Sequence, residues 1–321
     1  MAKKKTIRTI PQDRTPAAEQ APAERIRNFE EVSYGYGQDE ALLESQRCLM
    51  CPEQPCVDGC PVGINIPAFI EKISEKDYHG AYDVITATNL LPAICGRVCP
   101  QENQCEGVCT VGDTLEPVAI GRLERFVGDM AINAGWANVP YIEPCGFHIG
   151  IVGAGPAGMA CAADMAKAGC EVTVYEAFHQ SGGVLRYGIP DFRLPNEVID
   201  AEMGNLEKLG VRFECNTLVG RLFTIEQMID ELGFHAVFIG TGAGLLDAWI
   251  DFDQNGTWDH PAEHLFGIEA SIRGALKKAG RKHGFSPKKV IGIGVDTTGS
   301  TPIPVDAEGT PLAMVPGFSD N

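Results

Sequence analysis

A chain of 321 residues has room for about two ordinary domains, and 44% hydrophobic residues let it bury a core, which excludes a disordered chain. Its 26 basic against 43 acidic residues leave a net charge of −17, a surface that repels nucleic acid and anionic membrane, so neither is expected as a partner. No run approaches the ~18–20 apolar residues of a membrane span. The basic start, Met1-Ala2-Lys3-Lys4-Lys5, is not followed by the apolar stretch of a secretory signal, and the expected location is the cytoplasm. In that compartment twelve cysteines are more often metal ligands than disulfides.

Residues 1–24, rich in Pro, Ala and charge, read as a flexible arm. Residues 25–140 have a helical pattern, with short loops that hold cysteines. Two tetrads stand out: Cys48-x2-Cys51-x4-Cys56-x3-Cys60-Pro61, then Cys95-x3-Cys99-Pro100-x5-Cys105-x3-Cys109. A [4Fe–4S] cube needs four converging ligands, and Cys-Pro after such a run is a ferredoxin-like signature. There the fourth cysteine of a run serves the other cluster, so crossed ligation is the default. A structural zinc pair or disulfides are the alternatives, although the x4 and x3 gaps suit cubes better than the paired C-x2-C knuckles of zinc.

The segments "RNFEEVSYGY", "RCLMCPEQPCVDGCPVGINIPAFIEKI", "LPAICGRVCPQENQCEGVC" and "EPVAIGRLERF" resemble the NADPH-dependent glutamate synthase small subunit and its single-chain relatives. They also resemble the N-terminal region of dihydropyrimidine dehydrogenase. The resemblance is nearly continuous over residues 25–130. It implies one cluster on Cys48, Cys51, Cys56 and Cys109, and a second on Cys60, Cys99 and Cys105, completed by Glu124 of the "GRLER" helix. By the same resemblance Cys95 is not a ligand, although spacing alone nominates it. A plain salt-bridging role for Glu124 is the alternative. An oxygen ligand would shift the potential of its cluster.

From Phe147 the pattern alternates strand and helix, as a parallel α/β unit does. Gly153-x-Gly155-Pro156-Ala157-Gly158 follows a strand over Phe147–Val152 and opens a helix, the arrangement that sets a pyrophosphate against a helix N-terminus. Glu176 ends the next strand, placed for ribose hydroxyls. By resemblance the ligand is FAD: Gly182, Gly183 and Leu185 match the family's second glycine turn, and Gly240, Thr241 and Gly242 its later Gly-Thr-Gly turn. Arg193 matches a loop near the flavin, with a surface charge as the alternative. Cys161, Cys170 and Cys215 read as buried packing residues. Cys145, in a linker, has no assigned role.

Beyond residue 245 the resemblance stops, and the family's NADPH-binding unit has no counterpart. Residues 246–266 form an Asp-rich loop. Asp251-x-Asp253-x-Asn255-Gly256-x-x-Asp259 has the first spacings of a calcium loop, but Ala262 holds its twelfth position, and a solvated turn is the expectation. Residues 267–321 resemble an N-terminal piece of ribulokinase that stops before that family's catalytic base and ATP lobe.

The expected fold is therefore an α-helical iron–sulfur domain, a partial α/β Rossmann-like FAD-binding half-domain over 145–245, and a C-terminal α+β fragment. The resemblance implies two [4Fe–4S] clusters, FAD, NADPH as electron donor, and the glutamate synthase large subunit or another electron acceptor as partner; a homo-oligomer is compatible. Activity is expected to be impaired without the NADPH unit. A non-catalytic electron carrier and a carbohydrate kinase fragment are the alternatives.

Overall fold

The computed structural model describes residues 10–137, 139, 141–242 and 290–293. Residues 246–266, read as an Asp-rich loop, and all of 267–321 except 290–293, read as resembling ribulokinase, lie outside the described residues. The chain forms two compact units, one running to Tyr141 and including Leu185–Leu209, the other made of Ile142–Val184 and the chain from Gly210. Leu185–Leu209 thus leaves the stretch that the sequence pattern reads as continuous over 145–245.

In the first unit β1 (Ala18–Glu19) and β2 (Ser33–Gly35) pair antiparallel on either side of α1 (Pro22–Arg25). Helices α2 (Gln38–Ser45), α3 (Pro55–Asp58), α4 (Ile66–Ser74), α5 (Tyr78–Thr86), α6 (Pro92–Val98) and α7 (Ile120–Ala134) follow. Capping explains two of the helix starts. Asn65 accepts a hydrogen bond from Ala68 N at 3.3 Å, and Asp77 one from Gly80 N at 3.0 Å. The stop of α7 is Gly135, in the left-handed conformation at φ 69°. Ile66, Phe69, Ile70 and Ile73 recur at helical spacing and bury one face of α4 in a core shared with Ile85, Leu123 and Val127. Each such side chain contributes about 1.5–3 kcal/mol on burial.

The crossing of α6 and α7 depends on two glycines. A Cβ at Gly96 would stand 2.4 Å from Arg125 N, and one at Gly128 2.5 Å from Ala93 N. Arg97 and Arg125 then share Glu31 and Asp129, with Arg97 Nε 2.8 Å from Glu31 Oε1 and Arg125 Nε 3.2 Å from Asp129 Oδ2.

From Ile10 onward, the segment read as a flexible arm is tied to the core. Arg47 and Glu44, both fully buried, pair at 2.9 Å. Arg47 also donates to the carbonyls of Pro11, Gln12, Glu116 and Pro117. Glu44 in turn accepts from Thr15 N at 2.7 Å and Ala119 N at 2.8 Å. Two buried charges are tolerated because nearly all their bonding positions are used.

The second unit is a parallel sheet of order β5-β4-β3-β6-β7. In chain order come β3 (His148–Val152), α8 (Pro156–Lys167), β4 (Glu171–Tyr175), β5 (Arg212–Glu214), α11 (Ile225–Asp230), β6 (Ala236–Ile239) and β7 (Val290–Ile293). Helices α9 (Val184–Tyr187) and α10 (Asn196–Lys208) fall between β4 and β5, and α10 belongs to the first unit. Central β3 and β4 are mostly buried and rich in Val and Ile, as parallel strands covered on both faces require. One expectation is corrected: Cys161, Cys170 and Cys215 are half-buried, Cys161 on α8 and the other two outside helix and strand, just before β4 and just after β5.

Candidate metal centres and dinucleotide site

Cys48 follows α2 through a turn fixed by Arg47 and Ser45. Left-handed residues Met50 (φ 52°) and Gln54 (φ 46°) then curl the loop so that Cys51 and Cys56 face back. Gly59 lets this loop meet the later one, since a Cβ there would stand 2.7 Å from Val108 Cγ2 and 3.0 Å from Gln104 O. The chain is therefore grouped by space rather than by sequence run. Cys48, Cys51, Cys56 and Cys109 line one hollow, walled by Ile66, Ile70, Val111 and Ile120. Cys60, Cys95, Cys99, Cys105 and Glu124 line a second.

Electrostatics report the same proximity. Burial first, and then the neighbouring Cys48 and Cys109 sulfurs, push the Cys56 thiol up to about 11. In the second hollow burial also raises the Cys105 thiol, helped by Glu106, Glu124 and Cys60. Burial, with Cys99 next, pushes Glu124 up to about 8. Among the described residues no three His, Cys, Asp or Glu side chains close on the point that a single metal ion would occupy. What the thiols share is the wall of a hollow, and four thiols about one hollow are a donor set of the kind that holds a cube of iron and sulfide.

Three residues near these hollows carry no motif of their own. Asn89 donates to Glu124 Oε1 at 2.6 Å and accepts from Leu91 N at 3.1 Å, fixing the carboxyl. It also accepts a weak bond from Cys95 Sγ at 3.6 Å. Glu106 accepts from Gly121 N at 3.0 Å and so anchors the start of α7, while its other oxygen pairs with Arg14 at 2.7 Å. Glu202 of α10 accepts from Ala93 N at 2.9 Å at the start of α6, and burial pushes it up to about 8. The contacts Asn89–Glu124, Arg14–Glu106 and Ala93–Glu202 join positions 35, 92 and 109 apart in sequence, where local patterning gives no signal.

In the second unit the glycine turns gather at the C-terminal ends of β3 and β6, where strand order reverses direction and α/β sheets bind ligands. Gly153 turns the chain at φ 102°, and a Cβ at Gly158 would stand 1.9 Å from Gly153 O. Gly182 N donates to Ala154 O at 2.9 Å, and a Cβ at Gly183 would lie 2.7 Å from Gly155 Cα. Gly240 N donates to Val152 O at 2.8 Å, leading into Thr241 and Gly242. Gly155 stands at the N-cap of α8, Pro156 begins the helix, and no side chain caps it, so Ala157 and Gly158 lie in a first turn suited to phosphate. Glu176, 2% exposed, accepts from Ala154 N at 2.8 Å and Phe178 N at 2.9 Å, which places it against the first turn. Leu185 and Arg193 belong to the first unit; Leu185 is buried and Arg193 exposed.

Residues 25–136 match the family described as dihydropyrimidine dehydrogenase domain II, 4Fe-4S cluster, and residues 151–209 match the NAD(P)-binding Rossmann-like domain. The chain is 40% identical over 205 residues to the NAD-dependent dihydropyrimidine dehydrogenase subunit PreT of Escherichia coli (strain K12), covering 64% of this chain and 50% of PreT. It is 35% identical over 215 residues to the glutamate synthase (NADPH) small chain of the same organism, covering 67% and 45%. With the small chain of Azospirillum brasilense it shares 36% over 233 residues, covering 72% and 47%. The chain thus spans about half the length of the curated relatives it matches. Neither family match extends into residues 267–321, so the resemblance to ribulokinase has no support from them. Among the described residues no helix is long and apolar enough to cross a membrane.

Proposed function

From a chain that matches a 4Fe–4S family and a Rossmann-like family, and is similar to the glutamate synthase small chain and PreT, we propose an iron–sulfur flavoprotein oxidoreductase. Cys48, Cys51, Cys56 and Cys109 would hold one [4Fe–4S] cluster. Cys60, Cys99, Cys105 and Glu124 would hold the other, with Cys95 as a neighbour only. The turns at Gly153–Gly158, Gly182–Gly183 and Gly240–Gly242 would hold FAD, with Glu176 on its ribose, and Leu185 and Arg193 would serve the flavin.

Bound there, these groups supply electron transfer between NADPH and a partner, either a glutamate synthase large subunit or another acceptor. The residues do the rest. Glycine turns let backbone N–H groups approach a pyrophosphate, and the N-terminus of α8 favours its charge. Apolar walls from Ile66, Ile70 and Val111 shield the first thiol set from water, and Ile64, Phe69 and Ile120 do so for the second. Asn89 orients the Glu124 carboxyl toward the second hollow. The cytoplasm is the proposed compartment, since free thiols persist there.

The observation that carries this reading is the sorting of eight cysteines and Glu124 onto two separate hollows, Cys95 being set aside as a ligand by resemblance alone. Electron paramagnetic resonance of the anaerobic full chain after dithionite reduction tests it. Two distinguishable reduced-cluster signals are expected, Cys109→Ser removing one and Cys60→Ser the other. Loss of the same signal in both variants contradicts the assignment.

A further inference from the structure

Two thiols that neither metal centre nor the dinucleotide site uses stand together on the second unit. Cys145 Sγ lies 3.3 Å from Cys170 Sγ, Cys145 exposed and Cys170 half-buried. Backbone bonds hold them in place: Cys145 N donates to Gly169 O at 2.9 Å, and Glu171 N to Phe147 O at 2.8 Å. The chain entering β3 therefore runs beside the chain entering β4. Gly169, at φ 85°, permits this approach, because a Cβ there would stand 2.3 Å from Glu143 O. The Phe147 N–H and the Cys170 thiol both donate to the Cys145 sulfur and hold its pKa below the usual thiol value. Burial, then the bond to Cys145, pushes Cys170 up to about 11. The accessible sulfur is the readier thiolate, and the more sheltered one keeps its proton.

We propose that Cys145 and Cys170 form a redox-active dithiol, oxidised reversibly to an intrachain disulfide by small-molecule disulfides. The Cys145 thiolate attacks one sulfur of R–S–S–R, forming a mixed disulfide and releasing RS⁻. Cys170 gives its proton to that RS⁻ and attacks the Cys145 sulfur, so the Cys145–SR bond breaks and a second RS⁻ leaves, to be protonated by solvent. The protein loses two electrons, and the small disulfide is reduced to two thiols. The bridge forms at the end of the sheet opposite the glycine turns, so it ties the lead-in of β3 to the α8–β4 turn without entering the dinucleotide site.

The test uses the full-length protein, purified anaerobically and then equilibrated with graded mixtures of oxidised and reduced glutathione, with peptide mass mapping as readout. A linked peptide pair containing Cys145 and Cys170, reversed by reduced glutathione, is the expected result. Cys170→Ser should trap glutathione on Cys145, and Cys145→Ser should slow modification of Cys170 at least about tenfold, since the less ionised thiol is left to react. A wild-type chain that accumulates glutathione on Cys145 without the linked pair overturns the proposal. So does one whose two thiols both stay free at every ratio.

Discussion

Glu202 is a carboxyl only 2% exposed whose neighbour is a backbone N–H rather than a cation at bonding distance, so burial favours its protonated form. Its folded pKa of about 8 lies above the unfolded value, so between about 4.5 and 8 the folded state binds the extra proton. Stability from this group is therefore highest below the unfolded pKa and falls as pH rises through the folded one. Glu202→Gln keeps an acceptor for Ala93 N and removes the ionisation. Urea unfolding should show the variant more stable than the wild type at pH 9, by an amount on the order of a few kcal/mol, with no gain at pH 4. Equal stability at both pH values counts against the buried-acid account. Nothing in the local sequence marks this residue, because its partner lies 109 positions away. The cysteines were legible for the opposite reason: their spacing and the following prolines are local. In the two hollows Cys60 and Cys109 exchange places between the runs, the crossing that a ferredoxin-like spacing makes the default. Cys95 and Cys99 sit on adjacent turns and only substitution separates them. Cys95→Ala should keep about eight irons per chain and Cys99→Ala about four, read by iron and sulfide analysis.

At the scale of elements, the second hollow depends on how closely α6 approaches α7. Gly96→Ala puts a methyl against Arg125 backbone, and overpacking of this kind costs about 1–3 kcal/mol. A lower denaturation midpoint is expected, with unchanged slope, and Gly135→Ala is not a matched control because its own φ is positive. Gly204, in α10 with open space around its Cβ position, is the better comparison, and Gly204→Ala should hold or raise stability. In the second unit Gly158→Ala should abolish flavin retention while leaving iron content alone, since its Cβ would overlap Gly153 O. Strand, glycine turn, helix and acidic residue could be read in order from the sequence because each follows from its neighbours. The meeting of Gly183 with Gly155, and of Cys145 with Cys170, could not, because both arise from how separate segments settle around β3. The anchoring of residues 10–24 was equally hidden. Composition predicts an unattached arm, whereas Arg47 and Glu44 seize its backbone, and backbone is the same in every sequence.

Over the whole molecule, the helical unit and the parallel-sheet unit have separate cores, so their contents can fail separately. Breaking the buried Arg47–Glu44 pair illustrates this. Arg47→Met leaves the buried Glu44 without its cation, a change worth about 3–5 kcal/mol, and should cost the first unit its iron before the second loses its sheet. What those thiols enclose decides the chemistry of the first unit. Anaerobic purification of the full chain, with iron, acid-labile sulfide and zinc measured together against protein, tests this most directly. About eight irons and about eight sulfides per chain are expected from two cubes. Zinc without sulfide in the same preparation would contradict it.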